Sequence, residues 1–296
     1  MTKKIKFKTF NDLKAQVLRS GVSLPEFLQN YEAVNQGITV EEARKRMKLR
    51  LNVMKKNIEN GLKHPNISRT GLTNGGAYKV KEFFENESNL LLSPEFTEII
   101  MNTLAVSETN ACMGRIVAAP TAGACGVLPG ALLTIAKHKN ISDDKLIDAL
   151  FVSGGIGEVI GNIASLSGAK HGCQAEIGSA TSMTAGAIVS IFSNDIDAIE
   201  SAAAFAMKNL LGLVCDPIGG YVEIPCIKRN VSGAFNAISS AEMALAGIRT
   251  VIPFDEVVLA MKRIGEKMSP TLKETAEGGL AATPTAKELV KRIKSK

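Results

Sequence analysis

From Thr39 to Leu62 the apolar residues Ala43, Met47, Leu51, Met54, Ile58 and Leu62 return at steps of three and four in an otherwise charged stretch. That spacing predicts an amphipathic helix with one buried stripe. Thr39-Val40-Glu41-Glu42 opens it in the pattern of a capping box. Gly71-Leu72-Thr73-Asn74-Gly75-Gly76 ends the periodicity, and Ser93-Pro94-Glu95 restarts a helix with a capping serine and a proline at its first position. Further helix starts are predicted at Ser142-Asp143-Asp144, at Pro253-Phe254-Asp255-Glu256 and at a second Thr-x-x-Glu box, Thr285-Ala286-Lys287-Glu288. Gly and Pro clusters at 120–129, 153–161, 168–178 and 216–225 punctuate the helical segments, and short β-hairpin signals are few. The expected fold is mostly α-helical (all-α), one domain over 1–296, with Gly-rich loops around a cofactor pocket. An N-terminal helical part reaches to about residue 90, and the remaining core runs over about 91–296.

Composition sharpens this picture in two places. Aromatic residues are only 5% and Trp is absent, while the stretch from about Thr103 to Gly247 is dense in Ala, Gly and Ser, so the core is expected to rest on closely approaching backbones. The net charge of +6 comes from the two ends, Lys3, Lys4, Lys6 and Lys8 at one and Lys287, Lys291, Arg292, Lys294 and Lys296 at the other. The body is close to neutral, which argues against a nucleic-acid groove. Residues Met1 to Phe10 contain no apolar signal core, and no apolar run approaches the ~18 residues that would span a bilayer. A cytoplasmic protein without membrane contact is expected. Five cysteines, an odd number, point to reduced thiols or metal ligands and not to a disulfide framework.

Three of those cysteines sit in short turns flanked by Gly, Pro or an acid: Gly172-Cys173-Gln174-Ala175-Glu176, Val214-Cys215-Asp216-Pro217 and Ile224-Pro225-Cys226-Ile227. Three thiolates without a fourth would leave one iron of a cluster open, but the spacing matches no compact zinc or ferredoxin pattern, and buried unliganded thiols are the competing reading. Cys112 and Cys125, among small apolar residues, read as packing. Pro120-Thr121-Ala122-Gly123-Ala124-Cys125-Gly126 leads into an apolar helix and either offers backbone N–H groups to a carboxylate or is a tight helix-to-helix turn. Gly155-Ile156-Gly157-Glu158-Val159-Ile160-Gly161 has one residue too many for a dinucleotide fingerprint and follows a helical pattern, so helix packing explains its glycines better. Lys170, His171 and Glu176 are candidates for proton transfer beside Cys173. A pyridoxal-phosphate role for Lys170 finds no phosphate loop or strand–helix alternation to support it.

Longer motifs add specificity: Asn209-Leu210-Leu211-Gly212-Leu213-Val214-Cys215-Asp216-Pro217, Glu223-Ile224-Pro225-Cys226-Ile227-Lys228-Arg229-Asn230, Ser107-Glu108-Thr109-Asn110, Ala119-Pro120-Thr121-Ala122-Gly123, Gly172 to Gly178, and Glu274-Thr275-Ala276-Glu277-Gly278-Gly279-Leu280-Ala281. In this order, and with the Thr73 to Gly76 turn, they resemble the catalytic α subunit of iron–sulfur-dependent L-serine dehydratase over essentially the whole chain. The resemblance implies a [4Fe–4S] cluster held by Cys173, Cys215 and Cys226. It also implies conversion of L-serine to pyruvate and ammonia without pyridoxal phosphate, in amino-acid catabolism or gluconeogenic supply. An open iron acting as Lewis acid would offset charge on the departing hydroxyl. His171 or Lys170 is the expected catalytic base, an assignment that no motif of the family carries. Thr121, Ala122, Gly123, Gly126 and Asn230 are expected to orient the substrate.

The chain departs from the family pattern twice. Some single-chain relatives carry a second domain with a Ser-His-Thr motif, whereas the histidines here are His64, His138 and His171, none in that context. A separate β subunit, forming a heterodimer, is therefore expected. Some relatives also end in a cysteine tail, where this sequence reads Arg292-Ile293-Lys294-Ser295-Lys296. Two other functions compete: an L-cysteine desulfidase with the same type of cluster, and a non-enzymatic metal- or redox-sensing protein.

Overall fold

The computed structural model describes residues 4–86 and 90–295, so Lys3 and Lys296 lie outside the described residues. The described chain forms thirteen α-helices: α1 (Phe10–Ser20), α2 (Leu24–Gln36), α3 (Val40–Gly61), α4 (Gly76–Asn86), α5 (Pro94–Ala111), α6 (Val127–His138), α7 (Asp143–Ile163), α8 (Gly168–His171), α9 (Ile177–Phe192), α10 (Ile196–Lys208), α11 (Cys226–Leu245), α12 (Phe254–Lys267) and α13 (Pro284–Lys294). Among the described residues there is no strand, only two isolated bridges, Ile67 with Asn74 and Cys215 with Lys273. The helical expectation holds.

Helix α9, Ile-Gly-Ser-Ala-Thr-Ser-Met-Thr-Ala-Gly-Ala-Ile-Val-Ser-Ile-Phe, is buried almost all round, which its small side chains permit. Helices α6, α7, α10 and α11 pack around it. Its hydroxyls need partners in such a place. Thr181 and Thr184 donate to the carbonyls one turn back, at 2.6 and 2.7 Å, and Ser182 donates to Ala203 of α10 at 2.9 Å. At Gly186 an added Cβ would lie 2.2 Å from Ile156 Cδ1, so the Ile156 side chain of α7 occupies the space that the glycine leaves on α9.

The glycines of 153–161 do not interrupt α7, contrary to their reading as punctuation. The helix runs through them because Gly155 receives Leu28 of α2 and Gly157 receives Met183 of α9. With a mean hydropathy of 1.4, α7 is long and apolar enough to cross a membrane, which the sequence reading did not anticipate. Two thirds of its apolar window, 67%, is buried inside the protein, which makes it a core helix.

Thr39 caps α3 as predicted, accepting from Glu42 N–H at 3.1 Å, but the Glu42 carboxylate pairs with Arg46 instead of closing the box. The second predicted box is displaced. Thr283 caps α13 ahead of Pro284, and Glu288 pairs with Arg292, because a proline at the first helical position fixes the start there. The N-terminal helices share the main core: Phe10, Leu13, Leu28 and Leu51 cluster with residues of α7, α9 and α12. Asp255 caps α1 from across the molecule, accepting from Phe10 and Asn11 N–H at 2.6 and 3.1 Å.

Candidate active site

Of the three predicted cysteines, Cys173 and Cys215 pack together, and Cys226 is near enough for the Cys173 charge to bear on it, each from a separate segment. Cys173 opens a single 3-10 turn after α8, and Cys226 is the first residue of α11. Cys215 lies in an extended segment pinned to the strap that follows α12: its N–H donates to Leu272 at 2.9 Å and its carbonyl accepts from Glu274 N–H at 2.7 Å. Gln174, fully buried, staples the Cys173 turn in place. Its amide donates to the carbonyls of His171 and Met261, and its Oε1 accepts from Gly212 N–H. Asp216 ties the same strap down by accepting from Leu280 N–H at 2.7 Å, and it pairs with Arg229 at 2.8 Å. Gly279 must be glycine here, since its φ is +58° and a Cβ would fall 2.4 Å from Asp216 Oδ2.

The thiols differ electrostatically. A hydrogen bond from Cys215 favours the Cys173 thiolate, burial opposes it, and the Arg229 guanidinium adds to the favourable side, so Cys173 titrates below an ordinary thiol. Cys215 is pushed well up by that same hydrogen bond and by burial. Burial raises Cys226 to about 12. Glu176 stands among them, its Oε2 4.0 Å from Cys215 Sγ. Burial raises the Glu176 carboxyl, the Thr121 hydroxyl partly offsets this, and the nearby Glu274 adds to the rise. Gly168 makes the arrangement fit: a Cβ there would lie 2.8 Å from Glu176 Oε2 and 3.0 Å from Cys215 Sγ.

Beside the thiols an open cleft of about 570 Å³ is lined by Thr121, Ser165, Ser167, Lys170, Glu176 and Glu274, among others. Lys170 therefore faces the predicted site, but His171 does not line the cleft. It is 8% exposed and packs against Gly265 of α12, where a Cβ would come within 2.5 Å of it. Adjacent residues on a helical turn point about 100° apart, and here that step turns Lys170 to the cleft and His171 to α12. Burial, the largest effect, lowers the His171 imidazole below its ordinary value.

The substrate-orienting set is divided in the same way. Thr121 lines the cleft, Ala122 is exposed, and Gly123 lies against Val222 and Glu176. Gly126 is buried and pressed against Ser107 and Thr103, with its N–H donated to Asn230 Oδ1 at 2.9 Å. Asn230, 1% exposed, spends both of its N–H groups on the carbonyls of Gly123 and Cys226, at 2.7 and 2.9 Å. Asn230 and Gly126 thus fix the loop to α11 and have no N–H left for a ligand. The amides of Ala124, Cys125 and Val127 are also used within the loop, which folds as a tight turn into α6. Cys125 packs as predicted, its thiol 3.9 Å from the Val106 carbonyl.

Two buried carboxylates bind the 67–76 turn to this region. Glu223, three residues before Cys226, accepts from the hydroxyls of Ser68, Thr70 and Thr73 at 2.5–2.6 Å. Glu108 accepts from Gly76 and Ala77 N–H at the start of α4, at 2.7 and 3.2 Å. Sequence motifs contained both residues, but only the long-range contacts reveal what they do. Among the described residues, no group of three His, Cys, Asp or Glu side chains closes around a single ion.

Comparison with known proteins bears on the same region. The family model described as "Serine dehydratase alpha chain" matches residues 19–281. The chain is 44% identical over 278 residues to the probable L-serine dehydratase, alpha chain, of Bacillus subtilis, covering 94% of this chain and 90% of that one. It is 37% identical over 269 residues to the L-serine dehydratase, alpha chain, of Peptoniphilus asaccharolyticus, covering 91% and 92%. The L-serine dehydratase of Streptomyces coelicolor is 40% identical over 223 residues, which cover 73% of this chain and 49% of that one.

Proposed function

The chain belongs to the serine dehydratase α-chain family, and from that premise we propose that it deaminates L-serine to pyruvate and ammonia with a [4Fe–4S] cluster held by Cys173, Cys215 and Cys226. The observation that carries this reading is the contact of two buried thiols from distant segments, Cys173 and Cys215, with the buried Cys226 within their electrostatic reach, behind a carboxylate that lines an open cleft. The residues fit such a group: soft sulfur donors, a fixed guanidinium beside Cys173, and a glycine that keeps the space before Cys215 free of a side chain. When bound, a cluster with three cysteine ligands supplies a Lewis-acidic iron that offsets charge on the leaving hydroxyl.

The chain's own part is to bind, orient and move a proton. L-serine loses its α-proton and its β-hydroxyl, together one water, and the resulting aminoacrylate tautomerises to an imine that water hydrolyses to pyruvate and ammonia. Lys170 is assigned the proton-transfer role because it faces the cleft, whereas His171 is turned onto α12. Thr121 and Ser167 offer hydroxyls on the same cleft. Asn230 acts at one remove, by fixing the loop that carries Thr121. A second chain is proposed to complete the enzyme, since the relatives that share this length are named alpha chains and the Streptomyces protein is about twice as long as the matched part.

The test is pyruvate release from L-serine and from L-cysteine by the anaerobically reconstituted chain together with its second chain, with iron and acid-labile sulfide measured on the same sample. Turnover of L-serine with about four irons and four sulfides per chain is expected. A large preference for L-cysteine, or stoichiometric zinc without sulfide, would overturn the reading. Replacing Lys170 by Met should cost more than about tenfold in kcat, or about 1.4 kcal/mol of barrier.

A further inference from the structure

A cluster held by three cysteines leaves one iron without a protein sulfur. No further thiol among the described residues is placed to supply one: Cys125 is directed at the Val106 carbonyl, and Cys112 ends α5 on the side of Glu108 and Glu223. An oxygen donor does stand at the site. Glu176 is fixed to the Cys173 turn by its own N–H, which donates to the Cys173 carbonyl at 3.1 Å, and its carboxylate reaches across to 4.0 Å from Cys215 Sγ. Its charge also bears on Cys173 and Cys226. Gly168 presents no side chain exactly where the carboxylate and the Cys215 thiol come together. Thr121 Oγ1, buried beside the carboxylate, has no well-aligned hydrogen bond.

We propose that Glu176 is a fourth protein donor, its carboxylate occupying the iron that the cysteines leave open until a substrate oxygen displaces it. The proposal rests on the cluster reading above. Carboxylates are ordinary ligands of iron, and a side chain anchored in the same turn as Cys173 needs little reorganisation to reach its neighbour. On displacement the carboxylate stays in the cleft, on the wall that also carries Lys170. Between turnovers it would keep water and oxygen from the labile corner.

The experiment compares the wild type, Glu176→Gln, Glu176→Asp and Lys170→Gln, each reconstituted anaerobically with iron and sulfide and matched by thermal melting. Iron and sulfide per chain are measured first, followed by the rate at which one iron per chain passes to a ferrous chelator under limited oxygen and by the growth of the three-iron cluster signal in electron paramagnetic resonance. The expected result is unchanged sulfide in all four proteins, with one iron lost on the order of tenfold faster or more from Glu176→Gln, since the loss of even a supporting contact to a metal ligand costs about that much. Glu176→Asp should retain its iron better than Glu176→Gln, and Lys170→Gln, although expected to lose turnover, should release iron at the wild-type rate. Equal release from the wild type and Glu176→Gln would overturn the proposal while leaving the cluster standing. A wild type that takes up no iron and sulfide would overturn both.

Discussion

At the scale of single residues, the site depends on an atom that is missing. Gly168 has ordinary helical geometry, so alanine there meets no backbone strain, only Glu176 Oε2 at 2.8 Å and Cys215 Sγ at 3.0 Å. Gly168→Ala should therefore fold, with a penalty of about 1–3 kcal/mol for overpacking, while the carboxylate and the thiol are forced apart. Iron bound per chain after reconstitution is expected to fall together with L-serine turnover, and a variant that binds iron like the wild type would show that the cradle is not needed. The sequence exposes the trio and Lys170 because turn-flanked cysteines and a neighbouring base are local patterns. It does not expose the inward turn of His171, the saturated amide of Asn230 or the crowding of Gly126, since these depend on contacts with α12, with the Gly123 carbonyl and with α5, each far along the chain.

At the scale of elements, the pairing of α5 with α6 carries the loop on which Thr121 stands. Two features hold that pair together. Near one end, Gly130 lies on Thr103, where a Cβ would fall 2.7 Å from the backbone Cα, a contact that no rotamer change can relieve. Gly130→Ala should separate the helices at a cost of at least about 1–3 kcal/mol. Gly154 on the exposed face of α7 has nothing within 4 Å, so Gly154→Ala should instead stabilise by roughly 0.5–1 kcal/mol through helix propensity. Urea denaturation of both variants checks the contrast. Near the other end, Glu98 of α5 pairs with Lys137 at 2.6 Å and with His138 at 2.8 Å on the last turn of α6. Burial raises the Glu98 carboxyl, but those two partners outweigh it and the net shift is downward from 4.5. A depressed folded value means that the pair stabilises above the unfolded carboxylate pKa and loses that contribution as pH falls through the folded one. Melting temperature should thus drop more steeply below pH 4.5 for the wild type than for Glu98→Gln. Most helix starts could be read from their caps, whereas the continuity of α7 could not, because Gly155 and Gly157 are tolerated only through the partners that fill their notches.

At the scale of the molecule, the chain completes its core but leaves its chemistry open to solvent. Residues from α1 to α12 share one apolar cluster. The cleft beside the thiols is wide and open, and the proposed elimination would gain from excluding water, because every charge interaction at the reacting atoms strengthens as solvent leaves. The Streptomyces relative carries about as much chain again beyond the part that matches, which is material enough to cover such an opening. On the proposed reading, the chain alone is expected to fold and to take up a cluster with little turnover, and addition of a second chain to raise kcat by more than about tenfold, or about 1.4 kcal/mol of barrier. Titrating the second chain into a fixed amount of this one, with pyruvate release and sedimentation followed together, tests both parts. A rate that saturates at one second chain per chain supports completion of the site. Full activity in its absence would mean that the cleft, open as it stands, already holds all the groups the reaction needs.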